Sequence, residues 1–112
     1  VLETADGLVF LEIKSVTWVE DGVALFPDGV TSRGRRHLEE LMDLKGQGHQ
    51  ALQVFVVQRH DARLFRPAAA IDPAYARGLR LAAHQGVRIL VLQEKIAPPE
   101  ITLARTLVFD LT

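Results

Sequence analysis

The sequence predicts an α/β fold in which helices pack on a mixed sheet. Strand-like segments separated by Asp-Gly turns open the chain, and two amphipathic helical segments follow them. Each helical segment leads into a continuous apolar strand, an order that produces right-handed crossovers and a partly parallel sheet. With 112 residues, the chain has the length of one domain.

Three strand segments and two hairpin turns form the first part of this prediction. Val1–Ala5 is apolar and ends at Asp6-Gly7, a dipeptide typical of hairpin turns. Leu8–Trp18 is rich in β-branched and aromatic residues and predicts one long strand. Asp21-Gly22 then predicts a second turn before a short strand over Val23–Phe26. We therefore expect a three-stranded antiparallel meander.

The second part follows from capping residues, helical periodicity and continuous apolar runs. Apolar runs of this length are typical of strands buried on both faces, and glycines or Asp-Pro pairs mark the helix ends. The predicted elements are a helix from Thr31 or Ser32 to about Lys45, a strand from Ala51 to Gln58, a helix from Asp72-Pro73 to Gln85, a strand from Val87 to Leu92, and an edge segment from Ala97 to Thr112.

Composition restricts the function classes. Hydrophobic residues make up 48% of the chain and charged residues 24%, as in globular proteins, and no apolar run is long enough for a transmembrane helix. The chain has no cysteine, which excludes disulfides and thiolate zinc sites, and its four histidines lack the spacing of a metal site. We expect a cytoplasmic protein with no signal peptide and no membrane contact. Because the net charge is −1, nucleic-acid affinity must come from local patches.

Two charged residues on one strand face are the main candidates for chemistry. Alternation along the long strand places Glu12 and Lys14 side by side, with apolar neighbours on both sides. Charges in such surroundings are costly unless they are paired or used. A structural ion pair and a metal site are equally good explanations of the pattern alone. A second Glu/Asp-x-Lys match at Asp43 and Lys45 falls on a helix, which shows how readily chance supplies the motif.

Longer strings around this motif are more specific. Glu-Ile-Lys-Ser-Val-Thr at 12–17 precedes Phe-Pro-Asp-Gly-Val-Thr-Ser-Arg-Gly at 26–34. Further matching strings are His37-Leu38, Glu40-Leu41, Val57-Gln58-Arg59, Ile71-Asp72-Pro73, Gly86-Val87 and Pro99-Glu100-Ile101. In these strings the chain resembles the sugar fermentation stimulation protein A (SfsA) family, and its Glu-x-Lys strand resembles the PD-(D/E)xK nuclease superfamily. Gly29 stands where the family pattern has Ala.

The resemblance implies a restriction-endonuclease-like core and a function. Residues 1–112 would form the C-terminal nuclease-like domain, and an N-terminal OB-like portion would be missing. Glu12 and an Asp in that portion would bind Mg²⁺ or Mn²⁺, while Lys14 would position or activate a water. Asp6 is a poor substitute because it is predicted in a turn, so we expect the fragment alone to be inactive. We expect a DNA-binding protein linked to sugar (maltose) metabolism. The alternatives are a Mg²⁺-dependent nuclease acting on DNA or RNA and a catalytically idle interaction module, and self-association into a homo-oligomer stays open.

Arginines at the start of the first helix are candidates for nucleic-acid binding. Arg33 and Arg36 lie where backbone N–H groups already attract anions, and guanidinium groups clamp phosphate. The alternative for Arg36 is an ion pair with Glu40, one turn later. Arg33 has no such partner and matches the family string, so it is the stronger candidate.

Four further residues complete the predicted site. Asp28 is either a second metal ligand or a turn-capping residue, and Thr31 is a supporting residue beside it. Gln58 ends a strand at an edge where open sheets place ligands, and the equally good alternative is that it only starts a loop. Arg59 either contacts a phosphate or pairs with Asp61.

Overall fold

The computed structural model describes the backbone of residues 2–4, 7–97 and 101–112, and the side chains of residues 8–94 and 105–112. The elements in chain order are β1 (Leu2–Thr4), β2 (Gly7–Val16), β3 (Trp18–Glu20), β4 (Val23–Phe26), α1 (Ser32–Gly46), β5 (Gln50–Val57), β6 (Leu64–Pro67), α2 (Pro73–His84), β7 (Arg88–Ala97) and β8 (Ile101–Thr106). The predicted α/β class, with two helices and mixed parallel and antiparallel pairing, is confirmed.

A five-stranded sheet in the order β1-β2-β5-β7-β8 forms the centre of the molecule. Strands β2, β5 and β7 run parallel to one another, while β1 and β8 pair antiparallel with β2 and β7 at the two edges. The helical crossovers α1 and α2 explain the parallel pairing, since parallel strands need a long connection. The predicted edge position of the C-terminal segment is therefore correct for β8. The predicted turn residue Asp6 and the Pro98–Glu100 segment lie outside the described residues.

The predicted three-stranded meander differs from the structure. The strand expected over Leu8–Trp18 breaks at Thr17, and β3 and β4 form a separate three-stranded sheet with β6 in the order β3-β4-β6. Strand β2 keeps its predicted antiparallel partner β1, but on its other side it pairs with β5 and not with β4, in a parallel ladder from Val9↔Gln50 to Val16↔Val57. The turn signals located the strands but carried no information about which distant strand each would pair with. Strand β6 was not predicted, because its two consecutive apolar residues, Leu64 and Phe65, stand between two arginines and give no clear strand pattern.

Side-chain hydrogen bonds cap the N-termini of both helices. Thr31 caps α1, because its Oγ1 accepts a hydrogen bond from the Gly34 N–H at 2.9 Å. Asp72 caps α2 in the same way, accepting from the Tyr75 N–H at 3.0 Å. Its other carboxylate oxygen accepts from the Thr31 N–H at 2.9 Å. These backbone donors, that of Thr31 most of all, lower the pKa of Asp72. One buried carboxylate therefore fixes the two helix starts relative to each other.

The core lies where the five-stranded sheet, the three-stranded sheet and the two helices meet. Phe55 stacks on Phe65 with ring centroids 4.4 Å apart, and Phe26 contacts the Tyr75 ring edge-on at 5.4 Å. Leu38 of α1 and Tyr75 of α2 are fully buried in this cluster. No helix in the described part of the chain is long and apolar enough to cross a membrane.

Candidate metal and nucleic-acid site

Glu12 and Lys14 lie on the face of β2 that packs towards α1. Their shared face is as predicted, since Phe10 and Val16 on either side pack in or against the core. The Lys14 Nζ atom is 2.9 Å from Glu12 Oε1, and the side chains are 16% and 29% exposed respectively. The two charges thus form a half-buried ion pair that solvent and small ligands can still reach.

His37 joins this pair from the facing helix. Its Nδ1 atom lies 3.1 Å from Glu12 Oε1 and 2.8 Å from Lys14 Nζ. Because an ammonium group can only donate, Nδ1 accepts the hydrogen bond from Lys14. Sequence reasoning treated His37 only as part of a string that matches the family, since it is 23 residues from Lys14. Its position on the sheet-facing side of α1, three residues after the buried Gly34, was the one available signal.

A buried glutamine supports Glu12 from the neighbouring strand. Gln53 is opposite Glu12 in the parallel ladder, is fully buried, and donates from Nε2 to the Glu12 backbone oxygen at 3.1 Å. Its Oε1 atom is buried without a hydrogen-bond partner among the described residues. An amide in the middle of an apolar strand was a signal that sequence reasoning missed.

A second buried polar atom without a partner in the described part of the chain is the Tyr75 hydroxyl. Burial raises the pKa of Tyr75 well above its ordinary value, and the negative charge of Glu12 raises it further. The charge of Glu12 therefore acts on α2 as well as on α1.

The predicted nucleic-acid residues of α1 are exposed. Arg33 precedes His37 by one helical turn, so it lies on the same side of the helix as the Glu12 site. Arg36 is also exposed but points farther from the sheet, given the 100° step between adjacent helical residues. The ion pairs of the described residues do not include the Arg36–Glu40 pair that the sequence offered as an alternative. Thr31, the supporting residue, is occupied as the N-cap of α1.

Asp28 is exposed in the loop between β4 and α1. No contact in the described part of the chain joins it to Glu12, and that part contains no group of three or more Asp, Glu or His residues suited to a metal ion. Glu12 therefore offers one oxygen ligand of the kind that Mg²⁺ and Ca²⁺ prefer. Further ligands would have to be waters, a substrate or another segment. Asp6, the other acidic residue considered, is not among the described residues.

Gln58 and Arg59 follow the carboxyl end of β5. The Gln58 N–H extends the ladder by donating to the Val16 oxygen at 2.9 Å, and its side chain is exposed. Arg59 makes two hydrogen bonds to the Asp61 carboxylate, at 3.0 and 2.6 Å. The guanidinium group lowers the pKa of Asp61. Of the two roles considered for Arg59, pairing with Asp61 is the contact present.

A family model described as the sugar fermentation stimulation protein (SfsA) RE domain matches residues 1–100. The chain belongs to this family. Among its SfsA relatives, the sugar fermentation stimulation protein homologue of Citrifermentans bemidjiense is 51% identical over 106 residues, which are 95% of this chain and 46% of the relative. The homologue of Thioalkalivibrio sulfidiphilus is 48% identical and covers 99% of this chain and 47% of the relative.

A solved SfsA structure has the same fold. The structure of Pyrococcus furiosus SfsA in complex with Ca²⁺ superposes with a TM-score of 0.87, is 31% identical, and covers 96% of this chain and 47% of that one. The chain thus spans less than half the length of these SfsA relatives.

Proposed function

We propose that this chain is the nucleic-acid-binding part of an SfsA protein, with DNA as its partner and a divalent cation at Glu12. The role of such a protein would be the regulation of sugar (maltose) metabolism. The observation that carries the proposal is the partly buried Glu12 carboxylate, which is 29% exposed and contacts Lys14 and His37. The exposed Arg33 lies one helical turn before His37 on α1.

The cation is supported by the chemistry of Glu12. Both contacts of its carboxylate involve Oε1, from Lys14 and His37. Its Oε2 atom takes part in neither contact and is of the ligand type that a hard divalent cation prefers. A related structure contains Ca²⁺ and shares the fold of 96% of this chain. A bound cation would offset the negative charge of a neighbouring phosphate.

The phosphate backbone is supported by the charge pattern at the start of α1. The first turn of the helix has no acidic residue, although acidic side chains are favoured there by the helix dipole. Arg33, Arg35 and Arg36 occupy this region instead, and all three are exposed. Such an arrangement is stabilised by an anionic partner.

DNA binding is tested by fluorescence anisotropy of a labelled duplex with the full-length protein. We expect affinity to fall from low to moderate salt, as counterion release requires. Arg33→Met should weaken binding about fivefold or more, the scale of one charged hydrogen bond. Arg88→Met is the matched control, because it removes the same charge from the exposed start of β7. Equal losses in both variants, or an affinity independent of salt, would contradict the proposal.

A second candidate function is metal-dependent cleavage of DNA or RNA. The observation that favours it is the Lys14 ammonium within 2.9 Å of Glu12 Oε1, where it could stabilise charge that develops on a phosphate. The full-length protein is incubated with labelled DNA and RNA and with Mg²⁺ or Mn²⁺, beside a Glu12→Ala variant. Cleavage by the wild type alone is expected for a nuclease, whereas equal cleavage by both proteins would eliminate Glu12 from the reaction.

The third candidate is an idle nuclease fold that serves as an interaction module. It is favoured by the same ion pair, because a Glu–Lys contact is sufficient to explain two charges on one strand face. Crystals of the full-length protein soaked in Mn²⁺ separate the cases. Anomalous density at Glu12 supports the cation site, and its absence supports the idle fold.

A further inference from the structure

We propose that a pocket lined by two arginines binds a phosphate group. The pocket is separate from the Glu12 site. The cavity has a volume of about 340 Å³ and lies between the loop before β6 and the last residues of β8 with the two residues that follow them. We call it the arginine pocket. Its lining residues are Ala62, Arg63, Arg105, Thr106, Leu107 and Val108.

The first arginine is held at both ends. The Arg63 backbone N–H donates to the backbone oxygen of Gly22 at 2.6 Å. At the other end of the side chain, Arg63 Nη2 donates to the backbone oxygen of Asp21 at 3.2 Å. The side chain crosses directly over Gly22, where an added Cβ atom would lie 2.6 Å from Arg63 Nε. Gly22 also has a φ of +79°, so glycine suits both the turn and the close approach. The guanidinium group is thus placed beside the β3–β4 turn while its residue stays exposed.

The second arginine is oriented by a buried side chain. Arg105 Nε donates to Gln93 Oε1 at 2.7 Å, and Gln93 is only 1% exposed. The Nε2 atom of the same glutamine donates to the backbone oxygens of Arg59 and Ala62, at 2.7 and 2.9 Å. One satisfied buried amide therefore fixes the loop before β6 and the direction of Arg105 together. The Nη groups of Arg105 are not used in this contact.

The charge of the pocket is uncompensated by carboxylates in the described part of the chain. The arginine–carboxylate ion pairs there join Arg59 to Asp61 and Arg66 to Asp110, and include neither Arg63 nor Arg105. None of the lining residues whose side chains the structure describes is acidic, and the Thr106 hydroxyl adds a potential donor. Each guanidinium group uses part of its N–H donors in these bonds, Nη2 of Arg63 and Nε of Arg105, and its remaining donors suit the several oxygens of a phosphate.

The position of the pocket agrees with this ligand. The loop that carries Arg63 follows the carboxyl end of β5, and open sheets bind ligands beyond the carboxyl ends of their parallel strands. The pocket shares no residue with the Glu12 site, so a phosphate could bind here whether or not Glu12 binds a cation. The phosphate could belong to a free phosphate or mononucleotide, or to a nucleic-acid backbone.

The test is NMR of arginine Nε–H signals in the ¹⁵N-labelled full-length protein during titration with inorganic phosphate. Sodium acetate at the same ionic strength is the control for general salt effects. We expect saturable shifts of the Arg63 and Arg105 signals with phosphate and not with acetate. Arg63→Met should weaken phosphate binding about tenfold, and Arg88→Met should leave it unchanged. Arg63→Met leaves the Gln93–Arg105 bond intact, and its folding is checked by the backbone spectrum.

The two sources of phosphate are separated by repeating the titration with adenosine monophosphate and with a short DNA duplex. Stronger binding of the mononucleotide, with no effect of Arg63→Met on DNA affinity, supports a free-phosphate ligand. A loss of DNA affinity in Arg63→Met, but not in Arg88→Met, supports a backbone contact. Unsaturable or acetate-like shifts, or equal phosphate affinity of wild type and Arg63→Met, would overturn the arginine pocket without affecting the proposal for Glu12.

Discussion

Replacement of Tyr75 by phenylalanine should stabilise the protein. The Tyr75 side chain is fully buried, and its ring centroid lies 5.4 Å from that of Phe26. Its hydroxyl has no hydrogen-bond partner in the described part of the chain. An unpaired buried hydroxyl costs about 1–3 kcal/mol, because it has lost its bonds to water. Phenylalanine keeps the ring and removes that cost. Allowing for lost contacts of the oxygen atom, we expect a gain of about 1 kcal/mol, or a rise in Tm of about 4 °C.

The assay is urea unfolding at pH 7, followed by the fluorescence of Trp18, the single tryptophan of the chain. The midpoint should rise at an unchanged m-value, which assigns the change to stability. Tyr75→Ala is the matched control and should cost roughly 3–5 kcal/mol, since it removes the ring from the core. If Tyr75→Phe instead lowers stability by about 1 kcal/mol, the hydroxyl has a partner in solution and the reasoning is wrong.

Three further predictions concern the positions that hold the fold and the site together. Asp72→Ala should cost about 2 kcal/mol, because the carboxylate serves both helix starts. The native pKa of Asp72 is lowered from its ordinary value of 3.8. The stabilisation is therefore fully present at a pH above 3.8 and is lost as the pH falls through the native pKa. An acid titration in which wild type and variant keep a constant difference would refute this. Gly22→Ala should cost about 1–2 kcal/mol in urea unfolding, given its φ of +79° and the nearby Arg63 side chain; unchanged stability would show that the turn relaxes. Lys14→Met should lower the free energy of unfolding by about 1 kcal/mol, because Glu12 stays half-buried without the ammonium group that pairs with it. Adding Glu12→Gln to the Lys14→Met variant should recover part of this stability. No recovery would mean that the pair contributes nothing.

Features that depend on neighbouring residues could be predicted from the sequence. Alternation along a strand is a local property, so Glu12 and Lys14 were correctly placed on one face. Helix starts depend on a side chain and the N–H group three residues later, and Thr31 and Asp72 do cap the two helices. The α/β class followed from the order of these local elements, and the family strings followed from the residues themselves.

Only the tertiary structure decided which distant segments meet. Strand β2 pairs with β5 across a long crossover, and this register places Gln53 opposite Glu12 although they are 41 residues apart. The packing of α1 on that face brings His37 to Lys14, and the break at Thr17 sends β3 into a second sheet. These choices depend on the total burial that each pairing allows, a quantity that no short window of sequence contains. The sequence alone thus determined that the two charges share one strand face, and the fold determined that a histidine of α1 and a buried amide of β5 contact them.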